Sequence, residues 1–176
     1  DFWLEVLGGG GVCACCAAFG GETARAALTF AVLGILTVVA FMDIDTLEIY
    51  DRFPALLLVC GAAAQFVFPG PGIKSRLLGC VIVSLPMLLL ALIVPGGFGG
   101  GDIKLMAGAG FFLGARLTVV AAFLGILLGG GFGALLLAAK KADRKTRFAF
   151  GPFLCIGIAA AMFFGERLAD WYIGLL

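Results

Sequence analysis

The sequence predicts an all-α fold, a polytopic transmembrane bundle of six to seven helices. Three observations carry this. Hydrophobic residues make up 62% of the 176 and mean hydropathy is +1.16, whereas soluble domains run roughly 45–50% apolar. Apolar segments approaching the roughly 20 residues needed to cross a bilayer recur along the chain. Charged residues are only 13% of the total, and many of them cluster between those segments. The whole of 1–176 is read as a single integral membrane domain.

The elements follow in order. The first apolar segment runs from Phe2 to Phe19 and is weakened by Gly8 to Gly11. It lacks a basic n-region and a small-residue cleavage site, so it is not read as a signal peptide. The second runs from Ala24 to Met42, and the third from Phe53 to Phe68 after the charged stretch Asp43–Arg52. Pro69-Gly70-Pro71-Gly72 is a strong turn signal. The fourth covers Leu77 to Val94, with Pro86 placed to kink it. Pro95 to Gly101 breaks the helix. The fifth, Ile103 to Leu113, is short. A tight connection at Gly114-Ala115-Arg116 leads to the sixth, Leu117 to Ala139. Gly125, Gly129 to Gly131 and Gly133 within it predict close helix packing. The seventh, Pro152 to Phe164, precedes an amphipathic tail, Glu166 to Leu176.

The basic loop Lys140–Arg147 sets the expected orientation, because cytoplasmic loops of membrane proteins are enriched in Lys and Arg. Counting back two spans puts Gly99–Asp102 on the cytoplasmic side. Two more put Asp43–Arg52 there as well. Two acids at the ends of apolar segments, Asp43 and Asp102, are thereby expected on one membrane face.

Several function classes drop out. The chain has no histidine, which removes Ser-His-Asp and Cys-His catalysis and most zinc-enzyme sites. A formal net charge of +1 argues against a nucleic-acid partner. Cys13, Cys15, Cys16, Cys60, Cys80 and Cys155 lie in apolar stretches without paired CxxC motifs, so they are read as packing residues and no metal site is expected.

An aspartate at a membrane boundary is costly unless it has a job. Asp102 directly follows Gly99-Gly100-Gly101, and Asp43 directly follows Ala40-Phe41-Met42. Two carboxylates hydrolyse a peptide when one is ionised and accepts a proton from water while the other is protonated and donates to the carbonyl oxygen. Close like charges separate the two ionisations, so the pair keeps one proton over a range of pH. The glycines before Asp102 leave room for a substrate backbone. Lys104 is read as an interfacial or ion-pairing residue.

At this point the chain resembles the bacterial type IV prepilin peptidases and, more distantly, the archaeal preflagellin peptidases. Asp43-Ile44-Asp45-Thr46-Leu47-Glu48-Ile49-Tyr50-Asp51 is similar to the family's Asp-x-Asp segment followed by Leu/Ile-Pro-Asp. Gly99-Gly100-Gly101-Asp102-Ile103-Lys104-Leu105 is similar to its Gly-x-Gly-Asp-x-Lys-Leu, and Phe150-Gly151-Pro152-Phe153 to its Phe-Gly-Pro-aromatic segment. The resemblance implies an intramembrane aspartic endopeptidase of the bacterial inner membrane with Asp43 and Asp102 as the catalytic pair. Its substrates would be prepilins or pseudopilins, cut at the cytoplasmic face behind a short basic leader. Asp45, Glu48, Asp51, Gly99, Gly101 and Lys104 are the candidate substrate-binding residues, the acids attracting the leader. Tyr50 stands where the family has proline. Many members also N-methylate the mature pilin with S-adenosylmethionine and carry a cytoplasmic CxxC insert. The sequence shows no such insert, so neither that activity nor a cofactor is expected.

Three other readings compete. A proton- or ion-coupled transporter or channel would use the same two aspartates as an ion site, but would place them near the bilayer centre. An inactive structural subunit of a secretion complex would have no need of both acids. Presenilin-like proteases share Gly-x-Gly-Asp, but pair it with Tyr-Asp, and Asp43 follows Met42.

Overall fold

The computed structural model describes residues 10–11, 15, 22–67, 70–94, 98–139 and 149–174. Most of the expected first segment and the loop Lys140–Arg147 lie outside the described residues. Within them, the regular structure is helical: α1 (Thr23–Thr46), α2 (Arg52–Val67), α3 (Ile73–Ile82), α4 (Ser84–Ile93), α5 (Gly100–Leu113), α6 (Ala115–Ala138) and α7 (Gly151–Ile173). Four stretches are long and apolar enough to cross a membrane: α1, α3 with α4 (Ile73–Ile93), Ala115–Leu136 of α6, and α7. The outward faces carry large apolar side chains, such as Phe66 at 90% exposure and Ile93 at 75%, as a surface solvated by lipid requires.

Boundaries follow local chemistry. α1 ends where Leu47 adopts a left-handed backbone, φ 54°, and returns its N–H to the Asp43 carbonyl. The helix is interrupted at Val83, between α3 and α4, three residues before Pro86. Pro86 has no N–H for the Ile82 carbonyl four residues earlier, so the ladder breaks there. The seventh segment and the expected amphipathic tail, as far as Ile173, form one helix, which corrects the sequence reading. Glu166 and Asp170, one turn apart, both receive Arg116 from the start of α6, at 2.9 and 2.6 Å. Gly165 also lets α7 continue close against Leu117.

α5 holds the centre, in contact with α2, α3, α4, α6 and α7. Its 14 residues span about 21 Å at 1.5 Å per residue, short of the roughly 30 Å hydrocarbon core. It is positioned by neighbouring helices instead of by both interfaces. Glycine makes the approach possible. A Cβ on Gly79 of α3 would strike the Gly110 carbonyl of α5, and one on Gly110 would strike that of Gly79. Gly108 of α5 sits against the Pro54 carbonyl of α2 in the same way, 2.6 Å from where its Cβ would be.

Arg76 fixes the inner end of α5. It is fully buried. Its Nη1 donates to the carbonyls of Phe111 (3.0 Å), Phe112 (2.9 Å) and Gly61 (3.2 Å), and its Nε to Gln65 Oε1 (2.9 Å) and the Pro71 carbonyl (3.1 Å). The last carbonyls of a helix have no partner within it, and here a guanidinium supplies two of them. Of the sixth-helix glycines, Gly125 packs against Leu154 and Gly129 against Phe150, as close packing predicts. Gly130 and Gly131 instead face open space, with nothing within 4 Å of where a methyl would sit.

Candidate active site

At the opposite end of α5 from Arg76, its N-terminal turn meets the last turn of α1, the connection Leu47–Asp51 and the first turn of α7. Asp43 and Asp102 both line the resulting cleft of about 310 Å³, with Leu47, Glu48, Ile49, Tyr50, Asp51, Gly99, Gly100, Gly101 and Lys104. The two aspartates are only 6% and 7% exposed. Carboxylates are almost never buried to this degree without partners.

Each is held by one backbone N–H. Gly151, the first residue of α7, donates to Asp43 Oδ2 at 2.8 Å. Gly99, just before α5, donates to Asp102 Oδ2 at 3.2 Å. Asp102 Oδ1 is buried and, alone among buried side-chain polar atoms of the described residues, has no hydrogen-bond partner. Asp102 lies in the first turn of α5, outside the four long spans. Burial, and next the Asp43 charge, pushes its carboxyl up to about 6, against the Gly99 N–H that favours ionisation.

The surrounding glycines are spaces that side chains would fill. A Cβ on Gly101 would lie 2.7 Å from Ile49 Cβ, so the Leu47–Asp51 strap seats directly on the glycine run. A Cβ on Gly151 would lie 2.8 Å from Asp43 Oδ2. Phe150 rests edge-on against Phe98 with ring centroids 5.5 Å apart, tying the start of α7 to the segment leading into α5.

Of the sequence candidates, Asp43, Asp102, Glu48, Asp51, Gly99, Gly101 and Lys104 come together. Asp45 does not. It is exposed and is not among the lining residues: Asp43 faces inward, and two residues on, a helix has turned by about 200°. Lys104 Nζ meets Asp51 Oδ1 at 2.6 Å on the exposed rim. Sequence reasoning noted Gly151 as part of a motif but gave it no chemistry; a backbone N–H has no side-chain signature. Cys155, one turn into α7, is buried and faces both carboxylates electrostatically. Among the described residues no cluster of three or more His, Cys, Asp or Glu is arranged to hold a metal.

The fold and this cleft define a multi-pass helical membrane protein with two buried aspartates at one helix-end pocket. Comparison with known proteins gives its family. Residues 30–134 match the type IV leader peptidase family, and the chain belongs to it. A prepilin leader peptidase/N-methyltransferase of Bacillus subtilis (strain 168) is 32% identical over 141 residues, 80% of this chain and 57% of the relative. One from Legionella pneumophila is 30% identical over 157 residues, covering 84% and 54%. One from Aeromonas hydrophila is 27% identical over 144 residues, covering 79% and 50%. The chain thus spans about half the length of the curated relatives it matches. No solved structure matches it.

Proposed function

We propose that this protein is an intramembrane aspartic endopeptidase that removes the leader of type IV prepilin-like substrates at the cytoplasmic face of the bacterial inner membrane. The observation that carries the reading is the convergence of Asp43 and Asp102, far apart in the chain, as buried carboxyls in one cleft. Family membership supplies the substrate class.

The chemistry is that of a one-proton dyad. The ionised carboxylate takes a proton from water as the water oxygen bonds to the scissile carbonyl carbon. The protonated carboxyl gives its proton to the carbonyl oxygen, leaving a gem-diol. Collapse of the diol breaks the C–N bond and a proton passes to the leaving nitrogen. Glu48 and Asp51 at the rim would draw a basic leader toward the cleft.

Cleavage of a model prepilin in detergent tests this. Wild type is expected to cut at the leader junction. Asp43→Asn and Asp102→Asn, each folded by far-UV circular dichroism, are expected to lose at least about a thousandfold in rate, since one dyad member cannot work alone. Glu48→Lys is expected to raise KM for a basic leader. A wild type inert on several prepilins, or either aspartate variant retaining activity, would return the site to the ion-binding reading.

A further inference from the structure

The dyad is built asymmetrically, and the asymmetry bears on which acid plays which part. We propose, resting on the endopeptidase reading above, that Asp43 is the ionised member that takes the proton from water and Asp102 the protonated member that donates to the substrate carbonyl, with the Gly151 N–H as the positioning group that holds Asp43 as the base.

Three observations support this division. The Gly151 N–H meets Asp43 Oδ2 at 2.8 Å in a buried contact, and charge-assisted hydrogen bonds of this length favour the ionised acceptor. The bond to Asp102 from Gly99 is longer, 3.2 Å. Asp102 Oδ1 is buried without a partner among the described residues, which suits the oxygen that carries a proton.

Helix dipoles are a smaller influence. The N-terminus of α5 favours an anion at Asp102 by about two- to fivefold. A buried anionic oxygen left unpaired is disfavoured by about tenfold or more, so the orphaned oxygen outweighs the dipole. At Asp43 the C-terminal end of α1 and the N-terminal end of α7 act with opposite sign. The direct N–H bond then decides. Among the described residues, the titratable groups that interact with Asp43 are Asp102 from α5 and the Cys155 thiol from α7. Around the shared cleft stand Glu48 and Asp51 of the strap, and Lys104 paired to Asp51. None of these supplies Asp43 with a cation.

Gly151 has no room for a side chain. A methyl there would lie 3.0 Å from Asp43 Cγ, so Gly151→Ala displaces the carboxylate from its donor without replacing either acid. The same contact explains why the Phe-Gly-Pro segment belongs to the site. It opens α7, and Pro152 follows at the second helical position without needing an N–H of its own.

The test has two arms on the full chain in detergent. In the first, infrared difference spectra across a pH titration follow the protonated-carboxyl C=O band in Asp43→Asn and Asp102→Asn. The band is expected to persist to higher pH in Asp43→Asn, where Asp102 remains. Persistence to higher pH in Asp102→Asn overturns the assignment, whatever the cleavage result. In the second, the low-pH limb of kcat/KM for prepilin cleavage is compared in wild type and Gly151→Ala. Loss of one charge-assisted hydrogen bond is expected to move the limb up by about one pH unit or more. A lowered rate with an unmoved limb would mean that Gly151 only packs, and would overturn its positioning role. If Gly151→Ala does not fold, the infrared order of the two acids decides. A wild type that cleaves nothing defeats the endopeptidase reading separately.

Discussion

Replacing Arg76 with alanine is expected to be among the most destabilising single changes in this protein, although Arg76 lies at the far end of α5 from the cleft. The side chain is fully buried and, among the described residues, pairs with carbonyl and amide oxygens and with no carboxylate. The backbone donors near the end of α5 are already in use: the Gly114 N–H bonds the Gly110 carbonyl, and the Ala115 N–H bonds Ser75 Oγ. Without the guanidinium, the Phe111 and Phe112 carbonyls lose the donor that Arg76 provides. Each buried polar group stripped of its partner costs about 1–3 kcal/mol, so the two together cost about 2–6. Relief of the buried charge offsets part of this and the vacated volume adds to it. The expected net loss is about 4 kcal/mol. Arg76→Lys keeps the charge but not the planar fork that reaches both carbonyls and the Gln65 amide, so it should recover less than half. Equilibrium denaturant unfolding in neutral detergent, followed by far-UV circular dichroism, measures both. An Arg76→Ala variant within about 1 kcal/mol of wild type, or Arg76→Lys equal to wild type, would refute the view that this side chain closes the end of α5.

Two further outcomes follow from the same packing. The folded Asp102 carboxyl is raised from 3.8 to about 6, so the folded state keeps a proton that the unfolded chain releases. Its contribution is complete below about pH 3.8 and lost as pH rises through about 6, a change of about 3 kcal/mol. Asp102→Asn should therefore gain about that much on wild type between pH 4 and 7 while losing activity, and parallel melting curves at both pH values would contradict the burial argument. Gly79→Ala places a methyl against the Gly110 carbonyl, with the Gly114 carbonyl carbon 2.9 Å away. Backbone cannot swing aside, so a loss of about 2 kcal/mol is expected, and an unchanged unfolding midpoint would show that α3 and α5 are free to separate.

Much of this was legible in the residues. Apolar run length fixed the fold class because a bilayer imposes a minimum length on a spanning helix. The clustering of charges between runs located the ends of α1 and α5, and with them Asp43 and Asp102. Even the pairing of the two acids was accessible, since counting spans requires only chain order. Asp45 shows where that reading stops. It shares a motif with Asp43, yet the helix turns it away from the cleft, and which face turns inward depends on what packs there.

The remaining features are non-local. No role for Arg76 is legible in the sequence, and only the meeting of α2, α3 and α5 makes it a cap for buried carbonyls. Gly151 is 108 residues from Asp43 in the chain, and its contribution is a backbone N–H, which every residue but proline possesses. The short α5 was visible as a short apolar run, but not that glycine-to-glycine contact with α3 would seat it at the centre. Sequence by itself determined which of the described segments are apolar helices and where acids stand at their ends, because hydrophobicity and chain order are local properties. Tertiary structure decided which donor each acid meets and which oxygen is left without one, because hydrogen bonds form between whatever groups packing brings within about 3 Å.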